Sequence, residues 1–148
     1  MEMDEIQKQL YAGIPLAEAM GIRVAAVNSL GVRITAPLEP NRNPAGNVFG
    51  GSASAALIIA GWITVHTGLQ DAGIDAEVVI QDSTTEYTSA IDADFEVYCP
   101  RPAEAEWARF LDTLTRRGRS RIELGGIIEC HDRPQARFVG RYVARKTG

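Results

Sequence analysis

From Asn43 to Gln70 the chain carries no Asp, Glu, Lys or Arg, although 23% of all its residues are charged. The stretch opens with turn and breaker signals, Asn43-Pro44, Gly46 and Gly50-Gly51. From about Gly51 it is rich in Ala, Leu and Ile and too long for an ordinary strand, which predicts a helix over 51–71. The helix is apolar almost all round, so most of its surface has to be covered. A run of this length also suits a bilayer span. Against that, Ser52, Ser54, Thr64, His66 and Thr67 dilute it, four glycines weaken it, and no basic cluster flanks it. The expectation is a central helix wrapped by a sheet, with no membrane role.

The Gly50-Gly51 entrance has two readings. A helix amino end leaves backbone N–H groups unpaired and carries partial positive charge. Glycine there admits a ligand atom without a Cβ in the way, so the end can hold an oxyanion or a carbonyl oxygen. Equally, two glycines can simply make a tight turn into a helix.

With 148 residues the chain reads as a single domain, 1–148. Its acidic, polar start does not resemble an export leader, and a cytoplasmic location is expected. Cys99 and Cys130 suit a reducing compartment and suggest neither a disulfide framework nor a metal site. The net charge of −4 argues against nucleic-acid binding. Charge is unevenly distributed, however. Residues 1–100 hold 4 Lys+Arg against 13 Asp+Glu, and residues 101–148 hold 11 against 6. The basic third could serve an anionic ligand or be a solvated face.

Helical turns are predicted within 1–20, with Pro15 opening the second. Strands follow at 22–28 and 32–38. After the central helix and its stop at Asp71-Ala72-Gly73, a long strand is expected from Glu77 to Ala90. Regular alternation would put Asp82 on one face with Val78 and Ile80, in an element where Asp is disfavoured. That carboxylate is therefore either solvent-facing or held in a site. A strand at 95–99 precedes a helix over 102–117, opened by Pro102 and ended by Gly118. Trp107, Phe110, Leu111 and Leu114 form its apolar stripe. Arg121–Cys130, with a bulge expected at Gly125-Gly126, and the strand after the turn His131-Asp132-Arg133-Pro134 close the chain as a hairpin. Arg137, Arg141 and Arg145 line one face of it, solvated or available to phosphates. Strands around one long helix make an α+β architecture with an antiparallel sheet.

Residue by residue, the chain resembles the hotdog-fold thioesterases, in particular those typified by the C-terminal domain of YiiD. The resemblance rests on Asn43, Gly46-Asn47-Val48-Phe49-Gly50-Gly51-Ser52, Ala60-Gly61-Trp62 and Val79-Ile80-Gln81-Asp82-Ser83. It continues through Tyr87, Asp94-Phe95-Glu96-Val97-Tyr98-Cys99 and Gly118-Arg119-Ser120-Arg121-Ile122, spanning roughly residues 15–146. It implies the hotdog fold and a homodimer, possibly paired into a tetramer, with sites at the interface. The implied substrate is an acyl thioester of coenzyme A or of an acyl carrier, with no separate cofactor and no metal. Carried over, Gly51 supplies the oxyanion amide, Asn47 orients carbonyl or water, and Asp82 and Ser83 act on water. Phe49, Gly50 and Ser52 would line the substrate. Separately, the basic C-terminal third suggests that some of Arg116, Arg117, Arg119, Arg121, Arg137, Arg141 and Arg145 would meet the nucleotide phosphates, with Arg137 and Arg141 as the pair to test. Two departures stand out. Phe49 occupies the place of a His found in many members, and Ser52 to Ile63 lacks the carboxylate that many carry. A hotdog dehydratase, which pairs a His with a carboxylate in the site, is disfavoured accordingly. The alternative to hydrolysis is an acyl-thioester binder without catalysis.

Overall fold

A computed structural model describes residues 2–148. Two helices, α1 (Met3–Gly13) and α2 (Pro15–Ala19), lead into strands β1 (Arg23–Asn28) and β2 (Gly31–Ala36). A 3₁₀ turn at Glu39–Asn41 and a loop precede α3 (Gly50–Asp71). Then come β3 (Ala76–Tyr87), β4 (Phe95–Pro100), α4 (Glu104–Arg117), β5 (Arg119–Cys130) and β6 (Arg133–Lys146). The six strands form one antiparallel sheet in the order β1-β2-β4-β5-β6-β3.

The sheet wraps α3. Ala53, Ala56, Leu57, Ala60, Ile63 and Val65 on the helix are buried against Ile34, Val97, Leu124, Ile128 and Phe138 on the sheet. α3 is long and apolar enough to span a bilayer, but here it is the core helix. Two of its glycines are packing devices. A Cβ at Gly61 would overlap the Tyr142 hydroxyl, and one at Gly68 would overlap the Trp107 ring. Tyr142 Oη instead donates to Ile58 O at 2.7 Å, so the buried phenol has its partner. Burial raises the Tyr142 pKa and pushes the Cys99 thiol up to about 11, which leaves that cysteine an inert core residue. The helix ends as predicted: Gly73 adopts φ +71° and Ile74 N reaches back to Leu69 O at 3.0 Å.

The two sheet edges differ. At β1, α1 leans over the edge: Gln7 donates to Ile22 O and accepts from Val24 N, and Tyr11 Oη also donates to Ile22 O. At the other edge, β3 pairs only with β6, and no other described element bonds to its outer side.

Several expectations are corrected. α4 begins at Glu104, with Ala103 as its N-cap, rather than at Pro102. β3 stops at Tyr87 because Thr88 N and Ser89 N both turn to Gln135 O. The β5–β6 turn is only His131-Asp132, both left-handed (φ 55° and 60°), and β6 starts at once at Arg133. Gly125 and Gly126 are in regular register. Gly126 is a close approach, where a Cβ would come within 3.2 Å of Leu57. The register shifts instead between Ile128 and Glu129, where Gln135 on β6 is the extra residue.

A second unforeseen bulge matters more. Register shifts in β3 between Ile80 and Asp82, so Gln81 is the extra residue. The alternation therefore inverts. Ile80, Ser83, Thr85 and Tyr87 lie opposite the inward-facing Tyr142, Gly140, Phe138 and Ala136. Asp82 lies opposite Arg141, on the outer face, and does not share a face with Val78 and Ile80.

Candidate active site

The loop before α3 is assembled by asparagines. Asn43 Oδ1 accepts from Ala45 N (2.9 Å) and Asn47 N (3.1 Å), the side-chain turn that Asn favours ahead of Pro. Gly46, at φ +87°, completes the reversal, and Asn43 N closes it on Asn47 O at 2.7 Å. Asn41, 2% exposed, fixes the loop to the body: Nδ2 donates to Met20 O and Pro37 O, and its own carbonyl accepts from Phe49 N at 2.7 Å. Val48 N donates to Ile91 O, also at 2.7 Å. The loop is thus held on both sides up to Phe49.

At that point α3 starts without a cap. Phe49 is the N-cap residue, no side chain bonds the first turn, and the first intrahelical bond runs from Ala53 N to Phe49 O (3.1 Å). The amides of Gly50, Gly51 and Ser52 precede that bond and carry the positive end of the helix dipole. No acidic residue lies in this turn. Phe49, 57% exposed, folds its ring over Gly51 in the space a Cβ would occupy. Tyr87 braces the other side, its Oη donating to Gly50 O at 2.6 Å. Asn47 is half-buried beside this turn, its backbone occupied by Asn43.

The strand groups stand apart within one chain. About 16 Å of strand separates Asp82 from Tyr87. Asp82 meets Arg141 at 3.5 Å, and its side chain is 62% exposed. Glu77 meets Arg145 at 3.0 Å, and Glu86 stands opposite Arg137. Each arginine of the stripe thus faces an acid on β3, a ladder of cross-strand opposite charges. Asn47, Phe49, Gly50, Gly51 and Ser52 are brought together at the helix end. Asp82, Ser83, Arg137 and Arg141 lie along β3 and β6.

His66 is no part of this end. It stacks on Trp62 (centroids 4.4 Å apart), bonds Gln9 Oε1 at 3.0 Å under α1, and has its pKa lowered by burial. Sequence reasoning gave no role to Tyr87, Asn41 or the Ile91 carbonyl. For Asn41 and Ile91 no local signal exists, since each acts through a distant backbone group.

A helix with an open glycine end, wrapped by an antiparallel sheet, can be compared with known proteins. The family model described as "Putative thioesterase (yiiD_Cterm)" matches residues 3–146. The chain belongs to this YiiD C-terminal family. Among solved structures, a protein of unknown function from Chlorobaculum tepidum TLS superposes with a TM-score of 0.89 at 28% identity, covering 98% of this chain and 97% of that one. A protein described as a putative thioesterase from Shewanella oneidensis gives 0.86 at 24%, covering 97% and 96%. Thioesterase HI1161 from Haemophilus influenzae gives 0.74 at 13%, covering 99% and 92%, and shares the hotdog fold.

Proposed function

We propose that this chain hydrolyses acyl thioesters of coenzyme A or of an acyl carrier protein in the cytoplasm, as a homodimer joined along β3. The observation that carries this reading is the uncapped amino end of α3 at Gly50-Gly51, in a chain of a thioesterase family. A thioester carbonyl oxygen placed at the Gly51 amide is polarised there, and the tetrahedral oxyanion formed by water attack is held more strongly still. Collapse of that intermediate expels a thiolate, a good leaving group that needs little acid assistance. The chemistry therefore asks for an oxyanion donor, a positioned water and a base.

Asn47 is the side chain beside the loop that orients carbonyl or water, while Phe49, Gly50 and Ser52 border the acyl thioester. The base has to come from outside α3, whose first turn has no carboxylate. Asp82 and Ser83 stand at the middle of the free edge strand. Antiparallel pairing of β3 with the β3 of a second chain would bring the two bulges to the seam, with Ser83 on the face that carries α3 and Asp82 on the outer face, so that Asp82 would reach a shared site only by leaving Arg141. Arg137 and Arg141 serve the nucleotide phosphates.

A specific observation favours the second reading, an acyl-thioester binder without turnover: Asp82 is already engaged by Arg141 on the outer face. Thiol release from a panel of acyl-coenzyme A substrates separates the two. Hydrolysis is expected, and Asp82→Asn should lower kcat about 10²-fold with little change in KM. Wild-type turnover by a folded, dimeric Asp82→Asn protein would assign Asp82 to the charge ladder alone. Binding without thiol release by the wild-type protein would establish the second reading.

A further inference from the structure

The fold places three potential metal ligands together at the β5–β6 turn, none of them part of the Gly50-Gly51 helix end. Their ligand atoms, from Asp92, Cys130 and His131, all lie within 4.8 Å of one another. Asp92 Oδ1 and His131 Nε2 are 2.7 Å apart. Cys130 is buried (3% exposed) beneath two side chains that are more than 60% exposed. We propose that Asp92, Cys130 and His131 form a binding site for a divalent transition-metal ion, zinc(II) by the character of its ligands.

One thiolate, one imidazole and one carboxylate suit a borderline-soft ion and exclude magnesium or calcium, which take oxygen ligands. Tetrahedral zinc with its usual bond lengths holds neighbouring ligand atoms about 3.3–3.7 Å apart. The exposed Asp92 and His131 therefore need to part by about an ångström at most, which solvent-facing side chains do readily, and water fills the fourth position. The backbone under the ligands is already fixed. Gln135 Nε2 donates to Cys130 O at 3.2 Å, Ser89 Oγ bonds Gln135 Oε1, and Thr88 N donates to Gln135 O at 3.0 Å. The loop carrying Asp92 is thus tied to the hairpin carrying the other two ligands before any ion arrives.

A second observation points the same way. Cys130 and His131 line an open groove with Asp94, Glu96, Glu129 and Asp132. The one basic residue of that groove, Arg33, is occupied by Glu96 (2.6 Å) and Glu129 (3.6 Å). The approach is open to solvent and carries net negative charge, which attracts a cation. Binding draws the proton from the Cys130 thiol and leaves a thiolate on the ion. Within one residue of Asp92, the Ile91 carbonyl holds Val48, so an ion here also secures the loop that ends at Phe49.

The test is titration of the metal-free full-length protein with zinc(II), followed by calorimetry, and with cobalt(II), followed by absorption. One equivalent per chain at micromolar affinity or tighter is expected, with a near-ultraviolet thiolate-to-cobalt band. His131→Ala and Asp92→Asn, both surface changes, should each weaken binding by more than the about 10–100-fold that loss of an outer partner of a metal ligand costs. Cys130→Ser should abolish the band. Failure of 100 μM zinc to bind would overturn the site. So would binding indifferent to His131→Ala and Asp92→Asn, or a cobalt spectrum without a thiolate band.

Discussion

The two ends of α3 are built in opposite ways from the same residue. At the carboxyl half, Gly61 and Gly68 let Tyr142 and Trp107 press onto the helix, and Gly73 closes it with a left-handed cap. At the amino end, Gly50 and Gly51 leave the first amides uncapped, with one flexible aromatic ring over them. Glycine closes space at one end and opens it at the other. The partner decides which: a buried ring with its own hydrogen bond cannot move aside, whereas a half-exposed Phe49 can.

This contrast is open to direct attack, most forcefully at Gly61. Gly61→Ala has to displace Tyr142 and break its bond to Ile58, so the overpacking and hydrogen-bond losses together should cost about 3 kcal/mol, read by denaturant unfolding. Tyr142→Phe keeps the ring and loses only the bond to Ile58 O, and about 1 kcal/mol is expected.

His66 sharpens the same end through pH. Burial lowers its pKa in the folded protein below the ordinary 6.5 of the unfolded chain. As pH falls from about 6.5, the unfolded chain takes up a proton that the folded protein refuses. Stability should therefore be fullest above that pH, decline on acidification and level off below the folded value. Unfolding curves from pH 8 to pH 4 should show that decline, and His66→Gln should remove its share.

At the amino end the expected stability changes are smallest. Gly51→Ala gains helix propensity of up to about 1 kcal/mol and costs a shift of the exposed Phe49 ring, so the melting temperature should barely move. Its thioester turnover should nevertheless fall, and Phe49→Ala in the same chain should restore part of it. A large loss of stability in Gly51→Ala would erase the contrast. On the outer face, a double-mutant cycle of Asp82 with Arg141 should give a coupling below about 1 kcal/mol that shrinks with salt, as for other exposed pairs.

Much of this arrangement is legible in the residues themselves. Apolar periodicity and glycine or proline punctuation mark every helix and strand except the 3₁₀ turn at Glu39–Asn41. Gly50-Gly51 marks the helix entrance, and Asn43-Pro44 marks the turn that prepares it. The departures come from register and from distant contacts. Val79-Ile80-Gln81-Asp82-Ser83 contains no glycine to announce a bulge, yet one extra residue moves Asp82 to the outer face and Ser83 to the inner. The pairing of each β6 arginine with a β3 acid depends on that same register. Asp92 and His131 are 39 positions apart and meet only because the β3–β4 loop folds over the hairpin turn.

The Gln81 bulge has a further consequence for assembly. An exposed strand edge is ordinarily a template on which chain can add to chain without limit. A kink near the middle of β3 spoils that template for any straight strand, because a newcomer must bend at the same place. In the proposed dimer, a second β3 running antiparallel and centred on the same residue would carry its own kink there and would fit. Such a pairing uses up both edges at once, and each chain's opposite edge at β1 is already covered in part by α1. Strand addition along this edge would therefore end at two chains in the proposed dimer, so that an irregularity of one residue would set both where copies join and how many can join there.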